Sequence, residues 1–394
     1  AAYRITEDFK LGPITELKAR AAYGLAGSLP PFGAKDSRVT VSSSGGVSFS
    51  QIQNTNLERA VTEEIEVGFD GTILDKINFQ MNYAKAKSKN DFITPPAFSP
   101  TFGSGAIYQN LGAVTSESIE LELNGNILEK KNFKWNTGLT FSRVRSEITD
   151  LGPYPDFTNG LFRKGTGLSP FAFWGQHFLR NLNELQLDAN GKVINTGTNL
   201  TVADFTINKL GFVVEKSKLG TPDEKAIKYK NAATGDNKII GDAQPDFIIG
   251  FSNTFTIAKN LTLYTLVDWR EGGQKYNQTE QYLTFDRRSD VWQQSVASGV
   301  QGGFISDVYN GNSATSFWLQ NNGYVMLREA SLSYALNGNK LGSIGKAFKS
   351  IRFAVIGRNL FTSTKYKGSS LEGTSEYYPY PVYRTVSGKL TFDF

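Results

Sequence analysis

Side chains that could carry out catalysis are scarce in this sequence. His177 is the only histidine among 394 residues, and cysteine is absent. A histidine-based metal cluster and a Cys–His nucleophile pair are therefore excluded. No nucleophile-elbow motif supports a Ser-His-Asp site either. Because His177 lies beside Trp174 and Phe178 in an aromatic stretch, we expect a packing or rim position for it, and we predict a protein that is not an enzyme and needs no cofactor.

Charged and polar residues recur at every second position along much of the chain, a period that indicates β-strands. The final thirteen residues, 382–394, alternate almost throughout between apolar and polar side chains and end on a phenylalanine. The closing strand of an outer-membrane β-barrel has this pattern, with an apolar outer and a polar inner face. We interpret Leu390, Phe392 and Phe394 as the C-terminal signal for the barrel-assembly machinery. The mean hydropathy of −0.31 argues against a transmembrane helix but not against a barrel, whose strands need only every second residue to be apolar.

The same period of two recurs in segments of about 10 to 14 residues, enough to cross a bilayer when tilted, and ten such segments have a clear alternating core. These segments lie near residues 17–25, 65–73, 77–83, 119–127, 133–141, 247–257, 261–270, 324–336, 351–361 and 382–394. Antiparallel order requires an even number of strands between residues 148 and 245, and we expect two there, around 168–178 and 205–214. The sequence therefore predicts an all-β fold, a transmembrane antiparallel β-barrel of which this chain supplies about 10 to 12 strands.

Connections alternate between short and long, as in barrels with short periplasmic turns and long extracellular loops. The predicted extracellular loops lie near residues 27–61, 89–114, 183–245, 274–321 and 363–381. A soluble β-sandwich or propeller would also alternate. It would need a second layer to cover its apolar faces, and the sequence supplies no helices for that purpose. We expect an integral outer-membrane protein.

A barrel of this kind needs a polar interior whatever it carries. The side chains that we predict to face the lumen are Glu64, Glu66, Asp70, Glu120, Glu122, Asp268 and Arg270. Their expected role is to solvate the interior and to form salt bridges with a plug. The net charge of +5 is small for this length and its cations are scattered, so we expect no nucleic-acid partner. The chain start reads as a strand end in mid-domain rather than as a secretory signal.

Several motifs, in this order, resemble one family. They are Asn-Thr-Asn-Leu-Glu at 54–58, Thr-Glu-Glu-Ile-Glu-Val-Gly-Phe-Asp at 62–70, Asn-Leu-Gly-Ala-Val at 110–114, Ser-Ile-Glu-Leu-Glu-Leu at 118–123, Phe-Lys-Trp-Asn-Thr at 133–137, Pro-Asp-Phe at 245–247, Gly-Phe-Ser-Asn at 250–253, Leu-Arg-Glu-Ala-Ser-Leu-Ser-Tyr at 327–334 and Gly-Arg-Asn-Leu-Phe-Thr at 357–362. Over its residues 1–394, this chain resembles the C-terminal half of the β-barrel of a SusC/RagA-type TonB-dependent outer-membrane transporter of Bacteroidota.

This resemblance implies a 22-stranded barrel with an N-terminal plug domain that this chain lacks. The implied partners are a SusD-like surface lipoprotein that acts as a lid, TonB through the missing N-terminal part, outer-membrane lipids and the barrel-assembly machinery. The implied function is TonB-energised import of an oligosaccharide or peptide nutrient. An alternative is that the barrel serves as a scaffold subunit of a larger outer-membrane assembly complex.

Two further expectations depend on the resemblance. Tyr377, Tyr378, Tyr380 and Tyr383 lie at the predicted outer mouth, where they are candidates for contact with substrate or lid, although the membrane-interface belt would use them equally well. In relatives, the loop before the strand at 245 often carries a run of Asp and Asn that resembles a calcium-binding loop. Residues 235–242 of this chain have few carboxylates, and calcium needs about six to eight oxygen ligands. We expect no calcium there, and a simple turn at 188–191.

Overall fold

The chain is built around one antiparallel sheet of eleven strands in which each strand pairs with its neighbours in sequence. A computed structural model describes residues 1–95, 106–110, 112–297, 304–305, 308, 314–372 and 380–394. The strands of this sheet are β1 (Ala2–Arg4), β2 (Ile14–Ser28), β3 (Ala60–Ile73), β4 (Ile77–Lys89), β5 (Ala113–Lys130), β6 (Phe133–Asp150), β7 (Pro245–Ile257), β8 (Leu261–Gly272), β9 (Tyr324–Asn337), β10 (Ser350–Thr364) and β11 (Thr385–Asp393). The sheet is open, because β1 and β11 form its two edges.

The ten segments predicted from alternation are confirmed as β2 to β11. Short connections join them at one end of the sheet, at residues 74–76, 131–132, 258–260 and 338–349. In the turn after β3, Leu74 and Asp75 both have a φ of 54°, the left-handed conformation that tight hairpin turns require. Long connections lie at the opposite end, at residues 29–59, 90–112, 151–244, 273–323 and 365–384.

The prediction of two further barrel strands between residues 148 and 245 is wrong. β6 pairs directly with β7, from Phe133 opposite Ile257 onward, and the segments at 168–178 and 205–214 form only short strands outside the main sheet. Both segments bury apolar residues at consecutive positions, and therefore on both faces, as Ala172 with Phe173 and Phe212 with Val213 show. A membrane strand with a polar inner face cannot do this. The third long connection therefore begins at residue 151 rather than near 183.

Short elements occupy the connections, most of them the long ones. Their strands are Arg38–Val41, Val47–Ile52, Phe92–Ile93, Ala106–Ile107, Gln109–Asn110, Phe157–Asn159, Phe162–Lys164, Ala172–Gln176, Phe205–Ile207, Val213–Glu215, Asn237–Asp242, Gln274–Tyr276 and Leu319–Asn321. The helices are α1 (Gln278–Phe285) and α2 (Asp290–Ala297), and the 3₁₀ turns are Ile5–Glu7, Leu182–Glu184, Val202–Asp204, Lys216–Lys218, Gly338–Lys340 and Gly342–Lys346. Within the described residues, neither helix is long and apolar enough to cross a membrane.

The hydrophobic core lies mainly in the connections 151–244 and 273–323, which we call the cap. Phe178 and Phe212 of the first connection pack with Phe304 of the second, and Trp318 is fully buried against Phe173. The main sheet is organised differently, because apolar residues on one of its faces remain exposed; examples are Ile65, Phe69, Phe353 and Val355. A continuous face of this kind is stable only against an apolar solvent, which is what lipid provides.

Candidate functional site

The polar face of the main sheet carries the charges that the sequence assigned to the lumen. The strand register places Lys18 opposite Asp70, Asp70 opposite Gln80, and Gln80 opposite Glu122. The same row continues through Thr140 and Gly250 to Asp268. The other predicted residues lie an even number of positions along the same strands and therefore share this face; they are Glu64, Glu66, Glu120 and Arg270.

Arg20 organises the charges at the β2 to β4 end of this face. Its Nη1 lies 2.7 Å from Oε1 of Glu66, and its Nε lies 3.2 Å from Oδ1 of Asp70. The same guanidinium donates to the side-chain oxygen of Asn82. Lys18 adds a longer contact of 3.9 Å to Asp70. The cluster joins three neighbouring strands through groups that only partly contact solvent.

Arg328 forms a second cluster that the sequence reasoning missed. Its Nη2 lies 2.6 Å from Oδ2 of Asp268, and it also pairs with Glu372 of the connection 365–384. The hydroxyl of Tyr324 donates to the same Asp268 oxygen at 3.2 Å. Leu327 and Glu329 of β9 lie opposite Val267 and Leu266, which are consecutive residues of β8, so Arg328 occupies a β-bulge. An extra residue of this kind breaks the alternation on which the prediction depended.

The Arg328 cluster holds the connection 365–384 against the polar face. Leu371 and Tyr366 of this connection are buried with Met326 of β9. The ammonium of Lys275, in the cap, donates to the carbonyl of Ser370 at 2.7 Å. The segment 365–372 therefore joins the sheet to the cap.

The two halves of the cap are joined by backbone hydrogen bonds as well as by apolar packing. The N–H of Gln176 donates to the carbonyl of Ala314 at 2.8 Å, and the N–H of Ser316 donates to the carbonyl of Gln176 at 2.8 Å. Inside the first half, Asn208 donates to buried Glu224 at 2.8 Å, and its own side-chain oxygen accepts from the N–H of Phe212 at 3.0 Å. These bonds satisfy buried polar groups and fix the loops as one folded unit.

The predicted mouth tyrosines are only partly described. Tyr377 and Tyr378 lie outside the described residues. Tyr380 is 89% exposed and Tyr383 is 68% exposed, and the carbonyl of Tyr383 accepts from the side-chain amide of Asn359 at 3.1 Å. Both rings are available for contact, and a role in binding substrate or lid stays a prediction.

The three C-terminal residues proposed as an assembly signal lie on or beyond the edge strand. Leu390 and Phe392 are exposed residues of β11, paired with Phe353 and Ile351 respectively. The ring of Phe348 packs on Phe392 at 5.3 Å and on Phe394 at 5.0 Å between centroids. Recognition of this end by the assembly machinery stays a prediction.

His177 has a structural contact. Its Nε2 lies 2.7 Å from Oε2 of Glu184, whose other oxygen accepts from the N–H groups of Arg180 and Asn181 at 3.2 Å and 3.0 Å. Burial would raise the pKa of the Glu184 carboxyl, but these hydrogen bonds outweigh burial, so its pKa lies below the ordinary value of 4.5. Its carboxylate therefore stabilises the cap around residues 177–184.

We expect Glu184→Ala to weaken the cap near residues 177–186 in a pH-dependent way. A carboxyl whose pKa is lowered by folding stabilises the fold above pH 4.5 and loses that contribution as the pH falls through its folded pKa. Hydrogen exchange of this segment, corrected for intrinsic rates between about pH 6 and pH 3, should therefore show loss of protection in the native protein at the acidic end. The variant should be less protected at pH 6 and lack that step.

The control for this experiment is Asp223→Ala, which removes an exposed carboxylate of the same cap. It should leave protection at residues 177–186 and its pH dependence unchanged. Equal protection in Glu184→Ala and the native protein at pH 6 would contradict the role assigned to Glu184.

Of the two loops considered for calcium, residues 188–191 form a turn, whereas most of residues 235–242 form the short strand Asn237–Asp242. Oδ1 of Asp188 accepts from the N–H groups of Asn190 and Lys192, both at 2.8 Å. Oδ1 of Asp236 lies 3.5 Å from the ammonium of Lys230. Across the described ranges, no group of three or more His, Cys, Asp or Glu side chains is arranged to hold a metal ion.

Comparison with known proteins identifies the family. The sequence profile of the family described as TonB dependent receptor-like, beta-barrel matches residues 1–211. The chain belongs to this family. Relatives in Formosa agariphila include TonB-dependent receptor P3, 24% identical over 386 residues, and TonB-dependent receptor P26, 23% identical over 405 residues. These matches cover 91% and 95% of this chain but 36% and 38% of the relatives, so the chain spans little more than a third of their length.

Solved structures show the same fold. The RagAB peptide transporter matches 100% of this chain and 43% of its own chain, with a TM-score of 0.72 and 19% identity. The match to the RagAB peptide importer in its open-open state covers 100% of this chain and 42% of the importer chain, with a TM-score of 0.71 and 18% identity. The predicted membership of the TonB-dependent receptor family is thus confirmed, the fold is shared with the RagAB structures, and this family member is an integral outer-membrane protein. Its family is one of receptors and transporters rather than of enzymes.

Proposed function

We propose that the whole protein imports a nutrient of the oligosaccharide or peptide class across the outer membrane, energised by TonB. The observation that carries this proposal is the polar face, which runs across the strands from Lys18 to Asp268 and meets a folded cap at one end. A sheet with lipid on one side and charged groups on the other is suited to line a water-filled path. Membership of the TonB-dependent receptor family supports an energised path.

We also propose that a SusD-like surface lipoprotein closes over the cap and captures the nutrient between lid and barrel. The resemblance to SusC/RagA-type transporters supports this partner, as does the RagAB peptide transporter, which shares the fold. The exposed rings of Tyr380 and Tyr383 supply planar contact area at small entropic cost. TonB would act on a plug domain from the periplasmic side.

Native mass spectrometry of the intact protein, extracted from its own outer membrane in mild detergent, tests the proposed assembly. One lipoprotein per barrel is the expected result, together with a barrel chain far heavier than 43.4 kDa. A barrel held among several unrelated proteins would instead favour the scaffold role. A lone barrel without partners would contradict the lidded importer.

A further inference from the structure

The net positive charge of the chain is concentrated in the four short connections of the main sheet. Besides one carboxylate, Asp75, these connections contain six lysines, at positions 76, 131, 259, 340, 346 and 349. Their excess of five cations equals the formal net charge of +5 of the whole chain. The five long connections carry 20 lysines and arginines against 18 aspartates and glutamates. Because short connections of a membrane barrel face the periplasm, the excess charge lies at the periplasmic end.

Two of the short connections lie side by side and bring three lysines together. The connections after β5 and after β7 are neighbours because β6 pairs with β7, and the N–H of Ala258 donates to the carbonyl of Asn132 at 2.8 Å between them. The three lysines, which we call the lysine cluster, are Lys130, Lys131 and Lys259. Their side chains are exposed, and the described residues offer none of them an ion-pair partner. The cluster is therefore free to bind an external anion.

Apolar and aromatic side chains form a lipid-facing row beside the lysine cluster. The strand register places Phe133 opposite Ile257, Ile257 opposite Leu261, Leu261 opposite Tyr334, and Tyr334 opposite Phe353. Directly opposed residues share one face of a sheet, and Phe353 belongs to the exposed apolar face. Phe133 and Ile257 therefore face lipid, each two positions from a lysine of the cluster.

A β-bulge places Lys130 on this lipid-facing side. The register of β5 against β6 shifts just after Asn126, and beyond the shift Lys130 lies directly opposite Phe133. The preceding residue, Glu129, lies opposite Lys134 and forms an ion pair with it. Consecutive strand residues point to opposite faces, so this ion pair lies on the polar face. Without the bulge, Lys130 would share that polar face.

Aromatic rings mark this edge of the sheet as the boundary between lipid and water. The ring of Phe255 lies 6.3 Å from that of Phe133 and is stacked on that of Trp135 at 5.9 Å between centroids. Aromatic girdles of membrane proteins lie at the depth of the lipid head groups. A lysine at this depth lays its aliphatic stem along apolar surface and keeps its ammonium among the head groups. This position favours a lipid over a periplasmic protein as the partner of the lysine cluster.

We propose that the lysine cluster binds the head group of an anionic phospholipid in the periplasmic leaflet of the outer membrane. The ammonium groups of Lys130, Lys131 and Lys259 contact the phosphate, an anion that lysine binds as a point charge. Phe133 and Phe255 contact the glycerol and the first part of the acyl chains. This site goes beyond the proposed import function and does not depend on it.

Native mass spectrometry of the intact, delipidated protein tests this site by titration with dioleoylphosphatidylglycerol or dioleoylphosphatidylcholine. We expect tighter binding of the first lipid, whose head group has a net negative charge. Each lysine near an anionic lipid surface contributes about fivefold in affinity. The double variant Lys130→Gln and Lys259→Gln should therefore weaken binding of dioleoylphosphatidylglycerol by about 25-fold and leave that of dioleoylphosphatidylcholine unchanged.

The matched control removes the same charge from the polar face of the same end. Lys76 lies beside Asn78 and Asn124 of that face, and Lys134 is paired with Glu129. The double variant Lys76→Gln and Lys134→Gln should bind dioleoylphosphatidylglycerol like the native protein.

Two milder variants keep the test decisive if the first double variant fails to fold. Lys131→Gln alone should weaken binding by about fivefold, and Lys130→Arg with Lys259→Arg should retain it. Equal affinity for the two lipids, or equal weakening by the two glutamine pairs, would overturn the site. Unchanged binding after loss of Lys130 and Lys259 would also overturn it and would instead favour an acidic periplasmic protein as the partner.

Discussion

Arg328→Met should lower the free energy of unfolding of the intact protein by about 2 kcal/mol, because it removes one partner of a partly buried ion pair; the same change in a fully buried pair costs about 3 to 5 kcal/mol. The side chains of Arg328 and Asp268 are only 19% and 21% exposed, so the variant leaves the Asp268 carboxylate without its cation in a poorly solvated place. The same change removes the pair with Glu372. Urea unfolding followed by tryptophan fluorescence measures the loss of stability, and limited proteolysis near residues 365–372 measures the release of that segment from the sheet.

A matched control exists on the adjoining strand pair. Arg358 of β10 lies 3.1 Å from Glu329, but its side chain is 60% exposed, and exposed pairs contribute at most about 1 kcal/mol. Arg358→Met should therefore change stability little and leave the segment 365–372 protected. Similar losses in the two variants would contradict the idea that burial makes the Arg328 cluster important.

Val355→Arg should destabilise the protein in the membrane by about 2 to 4 kcal/mol, the cost of an arginine on the lipid face near the bilayer midplane. Val355 lies near the middle of β10, is exposed on the apolar face, and is paired with Leu332 and Gly388. Neither of these paired neighbours, Leu332 or Gly388, can neutralise the new charge. The measurement is the urea midpoint for unfolding from lipid vesicles, supported by the amount of protein recovered from the outer membrane.

Ser333→Arg is the corresponding control on the opposite face. Ser333 of β9 pairs with Ala354 and Thr262, on the face that carries the lumen charges. An arginine there meets water and polar neighbours, so we expect a change below about 1 kcal/mol. If the control were the more damaging of the two, the assignment of the two faces would be reversed.

The membrane sheet could be predicted from sequence because one physical rule governs every strand. Lipid on one side and water on the other require apolar and polar residues, such as Ile65 and Glu66, to alternate. This alternation can be recognised in one strand without knowing which strands are its neighbours. Register then follows from the short turns, and the row from Lys18 to Asp268 is its consequence. Arg270, predicted as a lumen residue, lies two positions from Asp268 on β8 and therefore on the same polar face.

The cap could not be predicted in this way, because its segments follow no single period. Phe212 is fully buried against Phe304 of the other cap connection, while Phe205 and Val213 are fully buried within their own connection. Their segment was therefore wrongly assigned to a membrane strand. Arg328 was missed because a bulge of β9 against β8 shifts the alternation by one residue. In both places long-range packing, rather than a local repeat, decides where the side chains lie.

Uptake by living cells tests the central claim most directly. Cells with and without the gene are given one medium that contains an enzymatic protein digest and a mixture of oligosaccharides, and mass spectrometry follows which compounds disappear. An energised importer predicts that deleting the gene leaves a defined set of compounds unconsumed, and that inactivating TonB leaves at least the same set. Unchanged consumption of every compound by the deletion strain, with loss of other proteins from its outer membrane, would contradict import and establish the scaffold role.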